Sequence, residues 1–274
     1  MLTINDVTSL SSRLACVLGL LVLSIVGCSD VDGGVGPGGT GGAGATGGTA
    51  GIGGAVGDGG SGGSGPVSIL LEITGPDSVT ERGPALVGVE VCETDTTHCE
   101  TTNADGRAVL ELPSNQVSSY TLSKEGYMTR LHAVVTDETF TNEPFTFFPL
   151  FRDQIMEDLA NDLQIPYPFE GGLVTLQATP FGTAGVTHEL LSETATAYYI
   201  DEGGIPTLGL TETTSSGQGG FLEVTAGEHQ VEFGGTVTNC TARIGWPGDA
   251  ANRVKFPVRV GHMTFARAVC EGSR

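Results

Sequence analysis

A short pattern of residues occurs twice in the chain, 112 positions apart. A pair of threonines at 101–102 precedes a glycine-containing turn and the apolar segment 109–112. A second pair at 213–214 precedes another such turn and the segment 221–224. The spacing from the first threonine to the apolar segment is the same in both copies. The repeated unit is a strand, a turn and a second strand, and its two copies are separated by about the length of one domain. This separation favours two tandem β-domains over one large sheet.

Alternating apolar and polar residues, bounded by Gly, Pro, Asn and Asp, predict strands on both sides of the repeat. The predicted strands cover 67–73, 86–92, 108–112, 131–135, 173–178, 196–200, 221–224, 229–233, 254–260 and 263–269.

One segment between the two copies has the period of a helix. Phe151, Ile155, Leu159 and Leu163 recur every four residues, and Pro166 marks the end. Acidic residues occupy the other faces, which is typical of a connector that packs one apolar stripe against a sandwich.

The first copy resembles the carboxypeptidase regulatory-like (transthyretin-like) β-sandwich family. The resemblance covers residues 67–145. It rests on a Gly-Val-x-Val strand at 88–91, Thr-x-x-x-Gly at 102–106, an apolar strand at 108–113 and Lys-x-Gly-Tyr at 124–127. It implies a β-sandwich that is commonly non-catalytic and serves as a structural, adhesive or carbohydrate-associated accessory, so it indicates fold more strongly than role.

The second copy matches the family more loosely and lacks Lys-x-Gly-Tyr. The sequence therefore predicts an all-β chain with two tandem antiparallel β-sandwich domains, at 67–150 and 170–274. A short amphipathic helical connector at 151–169 joins them.

An apolar run from Leu14 to Cys28 ends in Ile25, Val26, Gly27 and Cys28. This run resembles a bacterial lipobox and predicts a lipoprotein signal peptide over 1–27, with Cys28 as the lipidated N-terminus and the membrane as a partner through the anchor. Ser29 after the cysteine favours the outer membrane. The alternative is an ordinary secretory signal with an incidental cysteine. Residues 28–66 are rich in glycine, which predicts a disordered linker.

The cysteine count fits an exported protein. Removal of Cys16 with the signal and lipidation of Cys28 leave four cysteines, an even number. Of the three possible pairings, proximity in sequence favours one disulfide in each domain. The alternative is a metal site, but no CxxC pair or histidine at ligand spacing accompanies these residues. The favoured disulfides are Cys92–Cys99 and Cys240–Cys270.

The formal net charge of -20 argues against nucleic acid as a partner, because phosphate binding needs clustered Lys and Arg. No nucleotide motif occurs, and His188-Glu189 lacks the second histidine of HExxH. Oxygens of Asp95, Asn103 and Asp105 leave calcium as an alternative to turn chemistry. We otherwise expect no metal, no cofactor and no catalytic residues, so the chain is not predicted to be an enzyme.

Sugar binding needs an exposed aromatic ring, and Trp246, Tyr198 and Tyr199 are the candidates for such a platform. The two tyrosines are adjacent in one predicted strand, so at most one of them faces outward. We expect a non-enzymatic structural or interaction module at the cell envelope that contacts a protein or polysaccharide. A carbohydrate-binding accessory module is the alternative.

Overall fold

The computed structural model describes residues 65–77, 83–137, 145–180 and 183–272. The predicted signal peptide, Cys28 and most of the glycine-rich linker lie outside the described residues. All the described residues belong to one compact unit. None of the helices in this part of the chain is both long and apolar enough to span a bilayer.

Strands dominate the described chain, and the predicted all-β fold class is confirmed. The first half contains β1 (Val67–Thr74), β2 (Glu90–Glu93), β3 (Cys99–Thr101), β4 (Arg107–Leu112), β5 (Val117–Ser123), β6 (Thr129–Val135) and β7 (Phe145–Pro149), and helix α1 (Asp153–Leu163) follows. The second half contains β8 (Gly172–Thr179), β9 (Val186–Leu190), β10 (Thr196–Ile200), β11 (Pro206–Leu208), β12 (Gln218–Val224), β13 (Gly227–Gly235), β14 (Val237–Ile244), β15 (Trp246–Pro247), β16 (Arg253–Val258) and β17 (His262–Gly272).

The two halves share one strand topology. Each half has two layers of strands. In the first half the layer β4-β1-β7 packs against the layer β6-β5-β2, and in the second half the layer β12-β8-β17 packs against the layer β16-β13-β9. In both halves the middle strand of the first layer has one antiparallel and one parallel neighbour. The repeated sequence pattern therefore corresponds to a repeated strand arrangement.

A threonine hydroxyl closes the same loop in each half. In the first half the hydroxyl of Thr102 donates to the oxygen of Leu86 at 2.7 Å and accepts the N–H of Val89 at 2.9 Å. Gly88, between these two residues, has φ 73°, a left-handed conformation that favours glycine. The loop before β2 is thus fixed by one buried side chain.

Thr213 makes the equivalent pair of hydrogen bonds in the second half. Its hydroxyl donates to the oxygen of Thr183 at 2.9 Å and accepts the N–H of Val186 at 3.0 Å. Gly185 has φ 76° and corresponds to the glycine of the first half. The two threonines are the structural signature of the repeat.

The offset between the copies changes along the chain. Thr213 follows Thr102 by 111 positions, one fewer than the sequence pattern predicts. A β-bulge in β12 places Glu223 at φ 56° and adds one residue, so that Leu112 and Val224 pair with equivalent positions of β1 and β8. The bulge is what restores the offset of 112 at the strand end.

A single sheet of ten strands crosses from one half to the other through β17. Over 263–269 this strand pairs in parallel with β8, while over 262–265 its other edge pairs in parallel with β6. Farther along, β14 takes the place of β6. The predicted boundaries at 150 and 170 flank α1, but the sheet continues across them. Three strand pairs are parallel, where the sequence predicted antiparallel sandwiches.

The faces of this sheet exchange roles where the halves meet. Phe265 of β17 packs against the core of the first half, whereas its neighbour Ala266 lies in the core of the second half. The face that is internal in the first half is therefore the outer face in the second. Helix α1 covers that outer face with Met156, Ala160 and Leu163.

The buried side of α1 is rotated from the predicted stripe. Ile155 and Leu159 are only half-buried, while Met156 and Ala160 point into the core. Phe151 is buried but precedes the helix. The helix ends at Leu163, and Gln164 caps it in a left-handed conformation, two residues before Pro166.

Candidate functional site

Trp246 lies between the two halves of the chain. It forms the short strand β15 against β16, is half-buried, and donates its indole N–H to the main-chain oxygen of Ser118 in β5 at 2.9 Å. Next to it, the N–H of Gly245 donates to the oxygen of Ala133 in β6 at 2.7 Å. The polar edge of the ring is therefore engaged inside the molecule, which favours an anchoring role over that of a sugar platform.

The platform hypothesis is wrong for Tyr198 and Tyr199, since both rings are buried, with 4% and 3% exposure. Their neighbours Gly219 and Gly220 on β12 explain the burial. A methyl group at Gly219 would come within 2.7 Å of the ring of Tyr199, and one at Gly220 within 2.9 Å of the ring of Tyr198. The glycine pair is the sequence signal that could have placed both rings inside.

Both tyrosine hydroxyls have hydrogen-bond partners. The hydroxyl of Tyr198 lies 3.0 Å from the hydroxyl of Thr175, and burial raises the pKa of Tyr198 to about 12. The hydroxyl of Tyr199 accepts the main-chain N–H of His188 at 3.0 Å. Tyr198 thus ties β10 to β8, and Tyr199 ties β10 to β9.

Both predicted disulfides are confirmed. Cys92–Cys99 joins directly opposed residues of β2 and β3, and Cys240–Cys270 joins β14 to β17. Cys240 and Cys270 are buried, whereas Cys99 is exposed. The second disulfide therefore fastens the strand that both halves share.

A buried cation lies where β6 meets β17. Arg130 is 4% exposed, donates to the oxygen of Pro149 at 2.7 Å, and lies 5.3 Å from the centre of the Phe265 ring and 5.9 Å from that of Phe148. No described carboxylate pairs with it. Burial, with a contribution from Arg267, lowers the pKa of Arg130 to about 10. The aromatic faces and one carbonyl oxygen stabilise this charge.

His132, two residues further along β6, is fully buried. Its ring stacks on Tyr120 at 5.3 Å and meets the edge of Phe148 at 4.5 Å. Neither ring nitrogen has a hydrogen-bond partner among the described residues. Burial, together with Arg130, holds the pKa of His132 well below its usual value, so the ring is neutral. No sequence signal singles out Arg130 or His132, because the pattern Thr-Arg-Leu-His is typical of an alternating half-exposed strand.

An ion pair also spans the halves. The Nη2 of Arg259, in the turn before β17, donates to both carboxylate oxygens of Asp95 at 2.7 Å. Asp95 occupies the hairpin closed by Cys92–Cys99 and has φ 62°. Both side chains are exposed, so the pair orients the hairpin more than it stabilises the fold.

The residues considered for calcium are used otherwise. The side-chain oxygen of Asn103 accepts the N–H groups of Asp105 and Arg107, both at 3.0 Å, which is turn chemistry. Asp95 binds Arg259, as described above. Within the described ranges no group of three or more His, Cys, Asp and Glu is arranged to hold a metal ion.

One serine and one histidine approach closely at the end of β9. The hydroxyl of Ser192 lies 2.6 Å from Nδ1 of His229, whose Nε2 lies 2.8 Å from the oxygen of Thr225. The carboxylate of Glu193 accepts both the N–H and the hydroxyl of Thr225. The ring is oriented by a main-chain carbonyl, and these contacts fasten the loop after β9 to the start of β13.

Comparison with known proteins adds little to this description. No family model and no curated sequence matches the chain, so the resemblance to the carboxypeptidase regulatory-like family stays a prediction. Solved structures similar to it include the TIE protein of Bacillus anthracis (12% identity, 75% of this chain and 34% of that one, TM-score 0.22). They also include a minor pilin of Streptococcus agalactiae (12% identity, 75% of this chain and 97% of that one, TM-score 0.24). A shaft pilin of Lactobacillus rhamnosus GG is a third similar structure (12% identity, 76% of this chain and 100% of that one, TM-score 0.23). The chain thus spans about a third of the length of the first.

Proposed function

We propose that the chain is a lipid-anchored protein of the cell envelope whose β-rich region acts as a rigid, non-enzymatic structural and interaction module. The observation that carries the proposal is the pairing of β17 with both β6 and β8. Main-chain hydrogen bonds on both edges of one strand leave no hinge between the halves. A rigid body of this kind suits a module that holds or presents a binding surface.

The side-chain chemistry supports a structural role. His132 and His188 are buried against aromatic rings, and His229 is tied to Ser192 and Thr225. These imidazoles, which are the usual general bases of enzymes, are used here to join strands.

The anchor in this proposal is Cys28, and the lipobox resemblance supports it. Two or three acyl chains, at about 0.8 kcal/mol per buried methylene, are enough for stable attachment. The glycine-rich segment up to residue 66 would then hold the sheets away from the membrane, towards a protein or polysaccharide partner. Incorporation of labelled palmitate tests the anchor, and its persistence in Cys28→Ser would contradict it.

Rigidity is tested with the full chain carrying Cys28→Ser. Trp246 is the one tryptophan of the sequence and lies between the halves, so its fluorescence reports that region alone. We expect urea unfolding followed by tryptophan fluorescence and by far-UV circular dichroism to give coincident midpoints. A fluorescence change that completes before the loss of strand signal would show that the halves separate, and the rigid-module proposal would fail.

A further inference from the structure

One end of the ten-stranded sheet is formed by β11, which pairs only with β10 among the described strands. The hairpin between them closes with the N–H of Asp201 donating to the oxygen of Ile205 at 2.9 Å. In an antiparallel pair every second residue turns its main-chain groups away from its partner. Counting from this closure, Thr207 faces β10, while Pro206 and Leu208 face outward. Because Pro206 has no N–H, Leu208 supplies the outward N–H of β11, with its C=O beside it.

This end of the sheet also concentrates exposed apolar side chains. The described chain has nine large apolar residues with substantial exposure, and three of them lie within six consecutive positions. They are Ile205 (36%), Leu208 (41%) and Leu210 (36%). We call residues 205–210 the β11 edge. An apolar strand edge of this kind is a template for an added strand.

The charged residues nearest the β11 edge in the sequence are acidic. The sequence from 153 to 242, which contains the edge, has no Lys or Arg at all. Asp201 and Glu202 precede the edge and Glu212 follows it, while α1 packs beside β11 and exposes Glu157. Two copies of the chain would bring like charges together at this edge, which disfavours self-pairing.

We propose that the β11 edge binds an extended segment of a partner protein in which apolar and basic side chains alternate. The segment pairs its main chain with the outward N–H and C=O of Leu208. Its apolar side chains contact Leu208 on one face of the edge and Ile205 on the other, and its basic side chains meet the surrounding carboxylates. This inference rests on the proposed interaction role, and it assigns that role a surface and a partner chemistry.

The test uses the full chain with Cys28→Ser and fluorescein-labelled decapeptides followed by anisotropy. One peptide alternates Val and Lys, a second alternates Val and Glu, and a third has the Val/Lys composition with two central prolines. We expect the first to bind at least tenfold more tightly than the other two. Equal binding of the first and third peptides would mean that charge alone attracts them and would overturn the proposal. Absence of binding at millimolar peptide would also overturn it.

Matched variants locate the binding. Leu208→Lys places a cation on the β11 edge, and Val109→Lys makes the same charge change at an exposed valine of β4. We expect Leu208→Lys to lower the affinity for the Val/Lys peptide at least tenfold and Val109→Lys to change that affinity less than twofold. Equal losses in both variants would contradict the assignment.

Hydrogen exchange on the unsubstituted edge is independent of the folding of any variant. The amide of Leu208 should exchange at least tenfold more slowly with the Val/Lys peptide bound, and unchanged exchange would overturn the proposal. Sedimentation of the peptide-free chain should give a monomer, whereas a dimer that protects this amide would assign the edge to a second copy instead. If the β11 edge did not bind the peptide, the unfolding midpoints from fluorescence and from circular dichroism could still coincide. The binding surface and the rigid module are therefore tested separately.

Discussion

The indole N–H of Trp246 donates to the main-chain oxygen of Ser118, 128 positions earlier in the sequence. Replacing Trp246 by Phe keeps an aromatic ring but removes the donor, which leaves the carbonyl of Ser118 without this bond. We expect a loss of about 1–3 kcal/mol in unfolding free energy. Urea unfolding followed by circular dichroism measures it, with Pro247→Ala, a change at an exposed neighbour, as the control. A loss no larger than that of the control would mean that the bond contributes nothing.

The two loop threonines should have matched effects. Thr102→Val and Thr213→Val each remove a hydroxyl that makes two buried hydrogen bonds, so each should destabilise the fold by about 1–3 kcal/mol. Thr102→Ser and Thr213→Ser keep the hydroxyl and should cost less than the valine variants. Valine keeps the methyl group and removes only the hydroxyl, so a valine variant as stable as the unsubstituted protein would show that the two hydrogen bonds contribute nothing.

His188 should make the protein sensitive to acid. It stacks on Tyr199 at 5.3 Å, and burial lowers its pKa from 6.5 to about 3. The unfolded chain binds a proton below about pH 6.5 while the folded chain does not, so stability falls as the pH drops from about 6.5 towards 3. A difference of one pKa unit corresponds to about 1.36 kcal/mol. Protonation of His188 in the unfolded chain should therefore lower the unfolding free energy at pH 5 by about 2 kcal/mol relative to pH 7.

His188→Leu should remove that part of the pH dependence, as measured by urea unfolding at pH 7 and pH 5. Val109→Leu, a change at an exposed residue that removes no ionisable group, is the control and should leave the slope unchanged. An unchanged slope in His188→Leu would show that the imidazole is not buried as a neutral group.

The two disulfides should be reduced in a fixed order. Cys99 is exposed, while Cys240 and Cys270 are 4% and 6% exposed, so a thiol reductant reaches the first bridge more easily in the folded state. We expect native-state reduction followed by alkylation and mass spectrometry to label Cys92 and Cys99 at least tenfold faster. Simultaneous labelling of all four would mean that global unfolding limits both reactions.

Local sequence patterns predicted those parts of the fold that depend on local physics. The strand at 196–200 was predicted with its observed bounds, and the pairing of each cysteine with its nearest partner was correct. The strand predicted at 86–92 begins only at Glu90, because Gly88 turns the chain at positive φ.

Contacts between distant segments were not predictable in this way. Neither the exposure pattern of β17 nor its composition indicates that His262 pairs with Thr129, and the burial of Tyr198 and Tyr199 depends on glycines of another strand. Trp246 was predicted as a candidate sugar platform, but its indole N–H is engaged by Ser118, which lies in a strand that the pattern missed. Alternation within a strand tells which face is apolar, but not which neighbour covers it.

The position of β17 has a consequence for how the protein matures. It follows every other described strand in the sequence, so β6 and β8 remain without their shared neighbour until this last strand has been synthesised. Until then both partly built layers have an open edge, and an open strand edge can pair with the wrong segment. Docking of this one segment closes both edges at once, so the two halves complete their folding in the same step.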